Sequence, residues 1–464
     1  MQFEISMELY NFDIFPKVFV TGKEAEIHIR PLGGREIFTP GKDYKLLICA
    51  LEQGKPKDYP DTGDYHELTV KCADDGSFCF RHTFPSEQQY FLRFLDENDK
   101  RITQFSVYCV DEDLSGRYPL IGDLHMHTTG SDGGQDSPVV AANYRSHGYD
   151  FTVISDHEQY YPSLRAIDAF KDVPVGLCIV PGEEVHMPDT DGIIPDFHTV
   201  NFGGTYSINA LTDGEAIEEL GTDPKYRSLD GKCPDYMPLE QWRDMIRKMA
   251  AEMDTPEGVN PIHAATFKWI YDEIRKAGGL AIFPHPYWIS DVLHVPEKFV
   301  EYVTANNMFD AFEVLGGENY FEQNGYQTVK YYEDRAKGYR YPIVGSTDSH
   351  NSYFHNRNAY ICSTIVFSPE NERTALIDSI KKFYSVAVDT ISKEFRLVGE
   401  NRFVRYGCFL LKNYFPLHDE VCFEEGRLMK QYAVGTPEEK AEAEKMLKLI
   451  GNRIQRHREK YFDF

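Results

Sequence analysis

Nine His, Asp and Glu side chains recur in this chain at the ends of apolar runs, and all are types that hold metal ions. They begin in GDLHMHTTGSDGG, residues 122–134, where His125 and His127 flank Met126 just after YPLIG. In a strand, residues i and i+2 point to one side, so both imidazoles reach one cation. Asp132 follows in a Gly/Ser turn, where its carboxylate can fold back. Two nitrogen ligands with a nearby oxygen suit zinc, manganese or iron better than calcium.

The pattern repeats. FTVISDHEQ places Asp156 and His157 after FTVI, and LCIVPGEEVH places Glu183 and Glu184 past another run. FHTVNF carries His198, LAIFPHPYW carries His285, and YPIVGSTDSHN carries Asp348 and His350. Each group stands where a buried strand would end, the edge at which parallel α/β barrels build active sites. A solvated polar face would not place its His and carboxylates so regularly. The chemistry implied is hydrolysis by a water that clustered cations activate, since a cation lowers the pKa of bound water from 15.7 toward about 7. Structural zinc sites usually close with four ligands, often Cys. This larger set without Cys argues against a purely structural role.

These segments resemble the PHP (polymerase and histidinol phosphatase) domain, a superfamily of metal-dependent phosphoesterases. HMHTTGSDG, SDH, GEE, His198, PHP and DSH stand in family order over about residues 120–390. The resemblance implies a distorted β/α, TIM-like barrel and a trinuclear site. It assigns His125, His127, Glu184 and Asp348 to a first ion. A second shares Glu184 and adds His198 and His285, and a third uses Asp132, His157 and His350. The G-x-E spacing selects Glu184 over Glu183. Asp156 is expected to orient His157. DAFEVLGG and YYEDRAKGYRYPIVGSTDSHN are similar to the carbaryl-hydrolase-like branch of the superfamily, and Glu313, in the first of these, is a candidate supporting acid.

The elements that must position this set divide the chain. Residues 1–112 read as short strands (FEISMELY, KVFVTG, AEIHIR, YKLLICAL, HELTVKC, FCFRHTF, YFLRFL and ITQFSVYCV), which suggests an all-β, immunoglobulin-like sandwich. His28, His66 and His82 share no spacing there and read as sheet-face residues. Residues 113–395 alternate strand-like and helical runs, and form the α/β hydrolase domain. A polar stretch at about 203–262 reads as an insertion over the pocket. Residues 396–464 read as a helical C-terminal extension. In it, Thr436, Pro437 and Glu439 start a terminal helix through a capping box, and Met446, Leu447, Leu449, Ile450 and Ile454 give it an apolar face.

Lys plus Arg number 49 against 74 Asp plus Glu, a net charge of −25, which excludes extended nucleic acid and anionic membranes as partners. A small anionic substrate stays compatible, because clustered cations reverse the field inside a pocket. No run approaches the roughly 20 apolar residues of a membrane span. The nine scattered cysteines fit a reducing compartment, and the start MQFEISMELYNFDIFP has no basic n-region, so a cytoplasmic location is expected. Two or three divalent ions (Zn, Mn or Fe) and no organic cofactor are expected. A phosphomonoester or phosphodiester of a small molecule is the first expected substrate. A carboxylic or carbamate ester is the second, and a metal-stabilised binding protein without activity the third. Phosphate sites usually add Arg. Arg357, with Arg227 and Arg145, is the candidate. Tyr287 and Trp288, among Tyr160, Tyr161, Tyr353 and Phe354, are candidate substrate contacts.

Overall fold

The computed structural model describes residues 7–33, 37–52, 65–212, 226–316, 321–353, 360–390 and 396–464. They form two compact units. One joins Met1–Tyr118 to Asn401–Val421 and Asn452–Phe464, and the other joins Pro119–Glu400 to Cys422–Gly451.

In the first unit, alternation builds two sheets. Strands β1 (Phe12–Phe15), β2 (Val18–Val20), β3 (Glu24–Pro31), β4 (Asp43–Ala50), β5 (His66–Lys71), β6 (Phe78–Thr83), β7 (Gln88–Leu95) and β8 (Arg101–Val110) follow in order. A three-stranded sheet runs β1-β3-β6, and in the second sheet β2-β8-β7-β4-β5 is extended past β2 by the terminal strand Phe462–Asp463. Ala25, Ile27 and Ile29 of β3 turn inward while Glu26 and His28 turn out, as period two requires. The core between the sheets is aromatic. Phe38 meets Phe78 edge-on at 4.7 Å and Phe94 at 5.1 Å. Such pairs contribute about 0.5–1.5 kcal/mol beyond their buried area. FEISMELY is not a strand in its described part, since Met7–Tyr10 is a 3₁₀ turn.

In the second unit most strands are buried on both faces, which is why several read as continuous apolar runs. The strands are β9 (Tyr118–Asp123), β10 (Phe151–Val153), β11 (Cys178–Val180), β12 (Gly182–Val185), β13 (Thr199–Phe202), β14 (Leu280–Phe283), β15 (Ala311–Leu315), β16 (Ile343–Gly345), β17 (Cys362–Ser368), β18 (Ser385–Asp389) and β19 (Arg396–Val398). Where a distorted TIM-like barrel was expected, the described residues form two open mixed sheets, β11-β10-β9-β17-β18-β19 and β12-β13-β14-β15-β16, and no closed barrel. Neighbours β9, β10 and β11 are parallel, as are β14, β15 and β16, but β12-β13-β14 and β17-β18-β19 run antiparallel. Two isolated parallel bridges stitch the sheets together, Met126 to Ser349 and His157 to Glu184. Both lie at strand ends carrying the candidate ligands.

The described part of the stretch about 203–262 contributes to the core. Its helix Leu239–Glu252 buries Trp242, Ile246 and Ala250 in the core with Phe267 and Trp269 of the helix Pro261–Lys276. Residues 213–225 of that stretch lie outside the described residues. The capping box at Thr436 forms, but the helix stops at Ile450 and a second one runs Arg453–Tyr461. Leu449 is 70% exposed, so the expected apolar face is narrower than its spacing implied. The extension expected over 396–464 is divided, since 401–421 and 452–464 group with the β unit and 422–451 with the other.

Candidate metal centre

Four atoms make one ligand set. His125 Nε2 lies 3.2 Å from Glu184 Oε2 and 3.3 Å from Asp348 Oδ1, and His127 Nε2 lies 3.4 and 2.9 Å from the same two oxygens. Metal bonds of about 2.0–2.2 Å set neighbouring ligand atoms about 3–3.5 Å apart. The other Glu184 oxygen serves a second set. Oε1 is 2.7 Å from His198 Nδ1 and 3.4 Å from His285 Nε2, and His285 Nε2 is 3.8 Å from Asp348 Oδ2. A third set stands toward solvent around Asp132, which is 57% exposed: its Oδ2 is 3.3 Å from His350 Nε2 and 3.7 Å from His157 Nε2. His127 Nδ1, 3.9 Å from Asp132 Oδ1, faces this set too, which the family pattern did not include.

The residues fit divalent cations. His125 Nε2, His127 Nδ1, His198 Nδ1 and both Glu184 oxygens are buried and lack a hydrogen-bond partner among the described residues. His198 Nδ1 and Glu184 Oε1 sit at 2.7 Å without forming a hydrogen bond. They flank a common point instead of bonding each other. Each unmet buried polar atom costs about 1–3 kcal/mol, a cost that a shared cation removes.

Backbone pairing fixes this convergence. His127 donates its N–H to Ser349 O and Asp348 donates to His125 O, both at 2.9 Å, so the two ligand-bearing loops run as a short ladder. Asp123 ties the same loops, accepting from Thr347 N, Thr347 Oγ1 and His125 N. The turn back to Asp132 needs Gly133, where a Cβ would lie 2.5 Å from the His127 carbonyl carbon. His285 and Asp348 hold positive φ, 25° and 51°. Such strain persists only where its surroundings fix it. Glu313 does so for His285, accepting its N–H at 3.0 Å, while its other oxygen lies 3.3 Å from His125 Nδ1. Glu313 thus touches two candidate ligands, His125 and His285.

Electrostatics already favour cations. Burial alone would raise Glu184, but the charges of His125, His198 and His157 outweigh it and hold its carboxyl well below the usual range. Asp348 is likewise depressed, its burial overcome by His125, His127 and His285. Burial would lower His125, yet Asp348 and Glu184 raise it well above the ordinary imidazole. His157 and His285 also rise against burial, both through Glu184. His198, in contrast, is pushed by burial to about 3.

Several expectations change. Asp156 does not orient His157. Its carboxylate accepts from Thr128 N at 2.7 Å, Thr128 Oγ1 at 2.7 Å, Ser131 N at 3.0 Å and Ser131 Oγ at 2.8 Å, and so fixes the turn leading to Asp132. Glu183 is equally buried but turned away, bonded to Ser207 Oγ and Ile208 N, and burial raises it to about 7. Tyr287 is a core residue whose hydroxyl donates to Glu297 at 2.5 Å, so its polar end is not directed at substrate. Trp288 does stand at the site, its ring 5.8 Å from His198 and 6.0 Å from His285. Arg145 is fully buried against Glu425 and Asp150, Arg227 donates to Cys233 Sγ, and Tyr160 donates to Gly204 O. None of these three contacts a candidate ligand. Tyr161 packs edge-on against Tyr226, and Tyr353 is exposed. Arg357 and Phe354 lie outside the described residues. His186 was missed. It lies two residues past Glu184, on the same side of the chain by period two, and its Nε2 is 2.8 Å from His157 Nδ1.

No protein-family model matches the chain. It is 28% identical to the DNA polymerase/3'-5' exonuclease PolX of Bacillus subtilis over 142 residues, 28% of this chain and 22% of that protein. The chain thus spans about a fifth of the length of that curated relative. Among solved structures it is similar to a two-domain protein of Bacteroides vulgatus containing a predicted PHP-like metal-dependent phosphoesterase. Identity there is 16%, TM-score 0.37, and coverage 59% of this chain and 65% of the other. It is also similar to an amidohydrolase of Chromobacterium violaceum with bound sulfate and no metal, at 15% identity and TM-score 0.30, covering 50% and 87%. No helix among the described residues is long and apolar enough to cross a membrane.

Proposed function

We propose that this chain is a metal-dependent hydrolase of the PHP type that cleaves a small phosphomonoester or phosphodiester. One observation carries the reading: both oxygens of Glu184, buried and without hydrogen bonds, face two separate imidazole sets. A bridging carboxylate between two nitrogen-rich sets is the donor arrangement of a multinuclear site, with His125, His127 and Asp348 on one side and His198 and His285 on the other. When bound, divalent cations activate a water, neutralise the substrate oxygens and stabilise the leaving oxygen. The chain's own part is to hold these ligands rigid. Glu313 aims His125 and His285, while Asp123 locks the strand end bearing His125 to the loop bearing Asp348. Asp132, His157 and His350 at the mouth give a third oxygen-and-nitrogen position beside the entering phosphate.

A second reading, hydrolysis of a carboxylic or carbamate ester, has its own support. Among the described residues, the ion pairs of Asp132, Glu184, Glu313 and Asp348 are all with imidazoles, and no guanidinium or ammonium joins them. A neutral substrate needs no such cation, and Trp288 offers it an apolar wall. The likeness to the carbaryl-hydrolase-like branch points the same way. A panel of chromogenic phosphate, carboxylate and carbamate esters, assayed with added manganese or zinc alongside elemental analysis, decides between them. Metal-dependent turnover greatest on phosphates supports the first reading. Turnover confined to carboxylate or carbamate esters supports the second. Protein that neither binds nor responds to metal sinks both.

A further inference from the structure

His186 has no place in the three ligand sets, yet it is held against one of their members. Its Nε2 lies 2.8 Å from His157 Nδ1, in hydrogen-bond geometry. Its backbone is clamped at both ends by the buried side chain of Asn209, which accepts the His186 N–H at 3.3 Å and donates to the His186 carbonyl. The opposite edge of the His157 ring faces Asp132 and, beyond it, His350. His157 therefore stands between a hydrogen-bonding imidazole on one side and a candidate cation position on the other.

A second acceptor competes for the same nitrogen. Glu184 Oε2 is equally 2.8 Å from His157 Nδ1. That oxygen belongs to the set with His125, His127 and Asp348. If His157 donated to it, the bridging carboxylate would turn away from that set. A neutral imidazole carries one proton, and the partner of the protonated nitrogen decides which nitrogen is left to bind metal.

We infer that His186 is a positioning residue: it accepts the Nδ1 proton of His157, turns the Nε2 lone pair of His157 toward Asp132 and His350, and leaves Glu184 Oε2 free for its own ion. Ligating histidines usually donate their second nitrogen to a carboxylate or carbonyl. Here an imidazole serves, because the nearest carboxylate is already committed. The inference rests on the metal reading above for its consequence, but the tautomer it assigns can be observed without metal.

Two measurements on the full chain test it. In metal-free protein labelled with ¹⁵N-histidine, at a pH high enough for the His157 ring to be neutral, long-range imidazole spectra should show it protonated at Nδ1. In His186→Ala the proton should leave Nδ1 or divide between the two nitrogens. In His186→Gln, whose amide oxygen also accepts a hydrogen bond, the wild-type tautomer should return. In cobalt-loaded protein, chelator competition should show one ion bound about 10–100-fold more weakly in His186→Ala, with the others unchanged and the loss largely restored in His186→Gln. An Nε2-protonated His157 in the wild type overturns the inference, as does unchanged cobalt affinity in His186→Ala. A loss that Gln does not restore, with altered cobalt absorption in both variants, makes His186 a ligand itself and overturns it too. Wild-type protein that takes up no cobalt refutes the proposed function, while the tautomer result still stands or falls separately.

Discussion

In the β unit His82 is half-buried against His66, with ring centroids 4.8 Å apart, and burial with that neighbour pushes its pKa to about 4. In the other unit His125 is wholly buried beside other imidazoles, yet it is raised well above the ordinary value. Burial opposes a charged imidazole in both places. The difference is the buried carboxylate. Glu184 and Asp348 stand within 3.3 Å of His125, whereas in the β unit the buried Asp13 pairs with Arg30 and Lys460. Paired with an acid, a buried His becomes half of a cation site. Left beside another His, it is a half-buried ring on a sheet.

The largest effect that would break this comparison comes from Glu184. Glu184→Gln removes the charge shared by two ligand sets and should abolish metal-dependent turnover and release ions, as elemental analysis would show. Glu183→Gln, one residue away, should keep both. It should destabilise the fold by about 1–3 kcal/mol through its hydrogen bonds to Ser207 and Ile208, visible in denaturant melts. The reverse ranking would mean that the wrong carboxylate is the bridge.

Next comes removal of residues 1–118, which separates the two units by sequence but not by structure. Tyr406 and Phe409 stack on Tyr108 at 4.8 and 5.3 Å, and the terminal strand pairs with β2. A chain beginning at Pro119 keeps these helices and loses their partner sheet. It should aggregate, as gel filtration and light scattering would register. A monodisperse, metal-loaded 119–464 chain would show that the terminal segments do not depend on the β unit.

The metal site itself should respond to pH with a definite sign. His125, His157 and His285 are raised, so they hold protons to a higher pH than free imidazole does. A cation binds only the deprotonated ring, so uptake must release those protons. Apparent affinity, read by chelator competition, should fall as pH drops toward and through the ordinary imidazole value of about 6.5, with proton release on binding. Affinity that is flat across this window would place the ligands elsewhere.

These contrasts also show what was legible in the chain. His125 and His127 could be read because the two-residue period puts them on one side whatever the rest of the fold does. The choice of Glu184 over Glu183 followed from a motif, and its physical reason appears only in space: Glu183 turns to Ser207, 24 residues on. His186 was open to the same two-residue rule and was passed over because the family pattern has no place for it. Asp156 could not be read correctly, since its role depends on how the turn from Thr128 to Ser131 closes. Strand existence was largely local and readable. Their division into two sheets joined by two bridges, and the return of residues 401–421 and 452–464 to the β unit, are long-range pairings that no local pattern encodes.

The smallest expected effect sharpens the comparison from its other side. His82 falls from the ordinary 6.5 to about 4 in the folded protein. Between those values the unfolded chain binds this proton and the native chain does not. A group depressed on folding stabilises above its unfolded pKa and loses that contribution as pH falls. Acidification from about 6.5 to 4 should therefore destabilise the wild type partly through His82. His82→Gln cannot gain the proton, so its melting temperature should gain on the wild type by about 0.5–1 °C across that range, what about 0.5–1 kcal/mol produces in a chain of this size. The half-exposed ring is screened by solvent, which keeps the effect small. If the two proteins kept a constant difference from pH 7 to 4, the half-buried ring would titrate like free histidine. Burial beside another imidazole would then not be what separates His82 from His125.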